Sequence, residues 1–182
     1  MIIAGPTASG KSALATRLAD LIPSVIINAD SAQIYRELRL LTARPSVEEE
    51  ASHPHRLFGF CAGGDYCSAA AWVGLAIGAI KEARLANRLP ILVGGSGLYL
   101  RSLLEGIAFV PPIESSIRAQ VRANEVALNY QALQAEDPLM AARLGANDSS
   151  RINRALEVVR SSGRSLLWWQ AQPTKGISQN FS

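Results

Sequence analysis

The chain has 182 residues, 48% of them hydrophobic and 18% charged, with a mean hydropathy of +0.12 and a formal net charge of +3. That much apolar surface offsets the ordering entropy of folding, which excludes wholesale disorder. A core burying roughly 70% of the unfolded surface also needs no disulfide or metal staple.

Residues 1–4 read as a buried strand, preceded by no basic region and no apolar stretch of signal-peptide length, so no targeting segment is expected. After a Gly-rich turn, a helix is predicted over residues 11–21 with Leu14, Ala15, Leu18 and Leu21 on one face. Residues 25–27 form a second apolar run ending in Asn28-Ala29-Asp30-Ser31, and residues 57–61 are a candidate third strand. Cys61 and Cys67 do not have zinc-ligand spacing, and without a secretory leader they point to a reducing, cytoplasmic setting. Ser68 is placed to cap a long apolar helix to Arg88, too short in its apolar part to span a bilayer, so no membrane helix is expected. Residues 90–93 make another strand, ending in Gly94-Gly95-Ser96-Gly97 ahead of a helix over 98–105. Apolar strands alternating with helices predict a parallel α/β sheet with helices on both faces.

At Pro111-Pro112 the texture changes: amphipathic helical patterns follow over 115–124, 130–135, 138–143 and 148–162, with no strand candidate. The expected organisation is an α/β core over 1–110, a small all-helical insert over 111–170 and an irregular tail over 171–182. Net charge is +1 before residue 111 and +2 after it, so neither part is a basic tail.

Gly5-Pro6-Thr7-Ala8-Ser9-Gly10-Lys11-Ser12 fits the G-x-x-x-x-G-K-[ST] pattern of nucleotide- and ATP-binding phosphate loops, between a strand and a helix where that pattern belongs. Its glycines let backbone N–H groups turn inward around phosphate oxygens. The helix N-terminus adds its positive dipole end, Lys11 a point charge, and Ser12 a hydroxyl for Mg²⁺. A nucleotide hydrolase would carry an Asp at the end of another strand to help hold that ion, but the strand over 90–93 ends in Gly-Gly-Ser. The strand over 25–27 does lead to an acid, and parallel strands deliver their carboxyl ends to one edge. Asp30 therefore either faces the phosphate site or is a turn aspartate capping the next segment.

Fifteen of the 18 basic residues are Arg, a balance suited to bidentate phosphate recognition. Arg118 and Arg122 lie at i, i+4, and Arg151 and Arg154 at i, i+3, so each pair shares a helix face, as a solvated surface would also have it. His53 and His55 without a carboxylate or thiolate partner leave a metal site incomplete, and Trp168-Trp169 at a helix end reads as packing.

Taken together, GPTASGKS (5–12), NADSAQIYR (28–36), LTARPS (41–46), PHRL (54–57), LVGGSGLY (92–99) and NDSSRINRALEV (147–158) resemble the tRNA dimethylallyltransferase, or tRNA isopentenyltransferase, family in order and interval. The resemblance implies a P-loop NTPase-like core whose loop, residues 5–12, holds the diphosphate of dimethylallyl diphosphate, with Mg²⁺ at Ser12 assisting its departure. The prenyl group would pass to N6 of the adenosine next to the anticodon in tRNA, with Asp30 as general base and Lys11 and Ser96 assisting. Ser31, Ala32 and Gln33 would lie against the base. Ser96, where the family usually has Thr, Arg118 and Ser150-Arg151-Ile152-Asn153-Arg154 match positions that touch tRNA or close on the diphosphate. A cytoplasmic monomer acting on the anticodon stem–loop is implied. Family members continue well beyond the helical insert, so a C-terminally truncated chain is expected. Adenylate isopentenyltransferases, which prenylate free nucleotides, and small P-loop kinases remain the alternatives.

Overall fold

The computed structural model describes residues 1–172 and 174–177. Contacts divide the chain into two compact units, one over residues 1–106 joined by Gly176 and Ile177, the other over residues 107–175.

The first unit is built on a four-stranded parallel sheet of β1 (Ile2–Ala4), β2 (Ser24–Asn28), β3 (His55–Arg56) and β4 (Leu89–Gly94), in the order β1-β4-β2-β3. Register sets Ala4 opposite Gly94 and Asn28 opposite Val93, so the carboxyl ends of β1, β4 and β2 lie side by side. Strand side chains alternate between faces. Val25, Ile27, Ala29 and Leu92 meet helices α3 (Ala69–Leu85) and α4 (Gly97–Glu105) through Trp72, Ala76, Ile80, Tyr99 and Leu103. Ile26, Ile91 and Val93 turn the other way, onto Ala15 and Ala19 of α1 (Lys11–Leu21). Both faces are thus covered, which is why the strands read as continuous apolar runs. Trp72, fully buried, stacks on Tyr99 with ring centroids 4.4 Å apart and donates its Nε1–H to the Asn28 carbonyl at 3.1 Å. Burial pushes the Tyr99 phenol far above its ordinary value, so it serves the core as a neutral group.

Two sequence expectations are corrected, and two elements appear in a stretch for which none was expected. The third strand is His55–Arg56, not residues 57–61: Leu57 (φ 63) and Gly59 (φ 54) turn left-handed and break the extension, leaving Cys61 a lone bridge to Tyr35. On α1 the buried positions are Ala15 and Ala19, whose small side chains let the helix approach the sheet, whereas Leu14 and Leu21 are exposed. The stretch between β2 and β3 also holds a 3-10 turn (Arg36–Leu38) and helix α2 (Val47–Ser52). Ser46 and Glu49 cap α2 reciprocally, an S-x-x-E signature readable in the sequence.

The second unit is helical among its described residues: α5 (Ser115–Ala123), α6 (Val126–Glu136), α7 (Pro138–Ala141), α8 (Ser149–Ser162) and α9 (Leu166–Gln170). Its core of Val121, Leu133, Met140, Ile152, Leu156 and Val158 draws on all four of the helical stripes expected. Pro173 and residues 178–182 of the expected tail lie outside the described residues.

Candidate functional site

Three segments meet at the carboxyl ends of the first unit's strands. Between β1 and α1, the chain turns left-handed at Ala8 (φ 60) and Gly10 (φ 79), and Gly10 starts α1 with no side-chain cap. The first-turn N–H groups are left for an anion, at the positive end of the helix dipole. Lys11 folds back over the loop, its ammonium donating to the Pro6 carbonyl and to Ser9 Oγ at 3.4 Å, while Ser12 is exposed in the first turn. Pro6, Thr7, Ala8 and Ser9 are likewise exposed, and Gly5 is half-buried.

After β4, the Gly94-Gly95-Ser96 segment fits between this loop and the end of β2. A Cβ at Gly95 would stand 3.1 Å from the Gly5 carbonyl oxygen, and one at Gly94 only 2.1 Å from the Ala29 carbonyl carbon. The Ala29 N–H donates to the Val93 carbonyl at 2.8 Å, and the Ser96 N–H to the Ala29 carbonyl at 3.2 Å. The Ser96 hydroxyl accepts from the Ser31 N–H at 2.7 Å and donates to Ser31 Oγ at 3.0 Å. Its hydroxyl is committed to the turn that carries Asp30, a role in which Ser and Thr are equivalent.

Asp30 follows β2 at this edge, half-buried. Its Oδ1 accepts from the Ala32 N–H at 2.9 Å, and among the described residues no hydrogen bond reaches its Oδ2. It both closes its own turn and offers a carboxylate oxygen. Gln33 donates from Nε2 to the carbonyls of Thr42 (2.9 Å) and Ala43 (3.3 Å), so its Oε1 is the free acceptor. That loop is braced by Glu50, paired with Arg39 at 3.2 Å and with the nearly buried Arg44 at 3.5 Å. Neither this brace nor the role of Ser96 has a local sequence signal, because the partners are brought together by the chain's return.

In the second unit, Arg118 is half-buried on α5, and Arg122 donates to the buried Glu157 at 3.1 Å. At the start of α8, Ser150 and Arg151 are exposed, Arg151 pairing with Asp148 at 3.1 Å, and Arg154 is half-buried. Two neighbours differ from expectation. Ile152 is fully buried in the helical core, and Asn153 Oδ1 accepts from the buried Asn129 at 2.9 Å. Both side chains lie on the inward stripe of α8, so they support the surface that Ser150 and Arg151 present.

The histidines have structural partners: His53 Nε2 lies 2.8 Å from Asp20, and His55 meets the Phe58 ring edge-on. Trp168 and Trp169 pack edge to face, with the Arg164 guanidinium 4.2 Å over Trp168. Among the described residues no group of three or more His, Cys, Asp or Glu could hold a metal ion, and no helix is long and apolar enough to cross a membrane.

Residues 33–181 match the family model described as IPP transferase. A tRNA dimethylallyltransferase of Rhodospirillum rubrum is 54% identical over 177 residues, covering 95% of this chain and 54% of that protein. Among solved structures, the full-length tRNA isopentenylpyrophosphate transferase of Bacillus halodurans matches with TM-score 0.57 and 32% identity, over 91% of this chain and 56% of that one. A eukaryotic dimethylallyltransferase acting on tRNA shares the fold with TM-score 0.79 at 23% identity, over 97% of this chain and 46% of its own. The chain spans about half the length of the curated relatives it matches.

Proposed function

The chain belongs to the IPP transferase family, and from that premise we propose that it takes part in transferring a dimethylallyl group from dimethylallyl diphosphate to N6 of the adenosine adjacent to the anticodon in tRNA. The observation that carries this reading is the pairing at one sheet edge of a phosphate loop with the Asp30 carboxylate, two residues past the end of β2, while β4 leads into Gly94-Gly95-Ser96. That arrangement suits a diphosphate leaving group and an acceptor that must lose a proton.

The chemistry follows from the acceptor. An adenine amine is a weak nucleophile because its lone pair is delocalised into the ring. As N6 bonds to C1 of the dimethylallyl group, the C–O bond to diphosphate breaks and the diphosphate leaves with the electron pair. The N6 proton passes to the Asp30 carboxylate, a step worth ~10²–10⁴-fold for a positioned base. Positive character on the allylic carbon makes stabilisation of the leaving diphosphate the larger need, which Lys11 and the loop N–H groups meet. Mg²⁺ is held mostly by substrate phosphates with one or two protein ligands, and the exposed Ser12 hydroxyl beside the loop fits that pattern. Bound there, the ion would neutralise leaving-group charge. Ser31, Ala32 and Gln33 line the approach to Asp30, with Gln33 Oε1 as an acceptor for a base N–H.

Ligand choice tests the reading. Dimethylallyl diphosphate or inorganic diphosphate with Mg²⁺ is expected to bind more tightly than ATP in a calorimetric titration, and Lys11→Ala to weaken that binding. Tighter ATP binding with phosphoryl transfer to an acceptor would establish a kinase instead.

For the acceptor, Arg118, Ser150, Arg151 and Arg154 are the proposed tRNA contacts of the helical unit. Each Arg that meets a phosphate releases counterions, so each Arg→Ala should flatten the log–log salt slope of anticodon stem–loop binding by ~0.7 to 0.9. The target base must leave its stack, which costs least in a loop. Filter binding across a salt series gives the slope. A flat response, or equal affinity for an unrelated hairpin, would favour a free adenine nucleotide as acceptor.

A further inference from the structure

Asp30 carries its carboxylate on a turn, and a side chain two residues earlier holds that turn from both sides. Asn28, the last residue of β2, is fully buried. Its Oδ1 accepts from the Asp30 N–H at 2.8 Å, while its Nδ2 donates to the Asp30 carbonyl at 2.9 Å and to the Leu57 carbonyl at 3.0 Å. One carboxamide thus grips both peptide groups that flank the Asp30 Cα and ties them to the chain leaving β3. Its own backbone is fixed in turn: the Asn28 carbonyl takes the Trp72 Nε1–H, and the residue sits opposite Val93 in the sheet register.

No other small side chain has this set of groups. The amide supplies one acceptor and two donors, all used; a carboxylate has no donor for the two carbonyls, and a serine hydroxyl has one proton to give. The Asp30 carboxylate itself is bound only through Oδ1 to Ala32 among the described residues. Its direction is therefore set by the backbone that Asn28 clamps. We propose that Asn28 is a positioning residue for Asp30, aiming the base at the acceptor amine; this rests on the reading of Asp30 given above.

The test compares Asn28→Ser, Asp30→Asn and the double variant with Ile27→Val, a core change on the same strand that only lowers stability. Asn28→Ser is expected to lower kcat ~10- to 100-fold, the scale of a misaimed catalytic group, with KM for dimethylallyl diphosphate and for an anticodon stem–loop within about twofold of normal. In the Asp30→Asn background the same change should cost nothing further, since it acts through a base no longer there. Ile27→Val should lower Tm and leave kcat alone. Hydrogen exchange of the unsubstituted protein gives a reading that needs no variant to fold: the Asp30 amide should exchange as slowly as those of Ile26 and Ile27. A normal kcat in Asn28→Ser beside a slow Asp30→Asn, an equal loss in both backgrounds, or a fast-exchanging Asp30 amide overturns the positioning role. Asp30→Asn at full rate instead overturns the reading on which it rests.

Discussion

Asp30→Asn is expected to slow prenyl transfer by ~10²–10⁴-fold, the usual contribution of a general base, while fold and tRNA affinity are kept. The substitution is nearly silent structurally. Asn keeps an Oδ1 to accept the Ala32 N–H, and both backbone groups of residue 30 remain held by Asn28. What disappears is the basic lone pair that takes the N6 proton in the proposed reaction. Single-turnover transfer to an anticodon stem–loop, with the protein saturated in dimethylallyl diphosphate, isolates that step. Near-normal turnover would leave Asp30 as a turn residue.

Gly94→Ala is expected to act on stability and activity together. An added Cβ would stand 2.1 Å from the Ala29 carbonyl carbon, 2.2 Å from its oxygen and 2.7 Å from the Asp30 nitrogen. These are backbone atoms of the turn that carries the base, so no rotamer change relieves the contact. Overpacking of this kind costs ~1–3 kcal/mol, a fall in Tm of roughly 2–12 °C for a chain this long. The relief available is movement of Ala29 and Asp30 away from β4, which misplaces the carboxylate. Gly74→Ala is the control: nothing lies within 4 Å of its Cβ position on α3, and a helix interior gains ~0.5–1 kcal/mol from the change. Thermal melts of the two variants should shift in opposite directions, and only Gly94→Ala should lose transfer rate. Equal melts would mean that the turn yields without strain.

The phosphate loop was legible in the sequence because its eight residues act through covalent neighbours: a strand, a turn needing left-handed residues and a helix start. The parallel sheet was legible for a related reason, since strands covered on both faces must be apolar throughout. Asp30 could be placed at the functional edge by the rule that parallel strands end together, and α2 was readable from Ser46 and Glu49 although its exposed, acidic face gives no apolar stripe. Periodicity could likewise have assigned Ile152 to the core, since Ala155, Leu156 and Val159 follow it at helical spacing.

Tertiary structure alone decided how Asp30 is held. The strand order β1-β4-β2 inserts the last core strand in sequence between the first two, and no local pattern encodes that choice. It is this insertion that brings Ser96 onto Ser31 across 65 residues, makes Gly94 a point of backbone contact with Ala29, and sets Gly95 against the phosphate loop. Asn28 gains its third hydrogen bond only because β3 ends early and delivers the Leu57 carbonyl. Hydrogen bonds and steric exclusions of this kind depend on register between distant segments, which is set by burial of both sheet faces at once. The chain therefore spells out the candidate groups for the proposed chemistry, and the sheet's packing determines where they point.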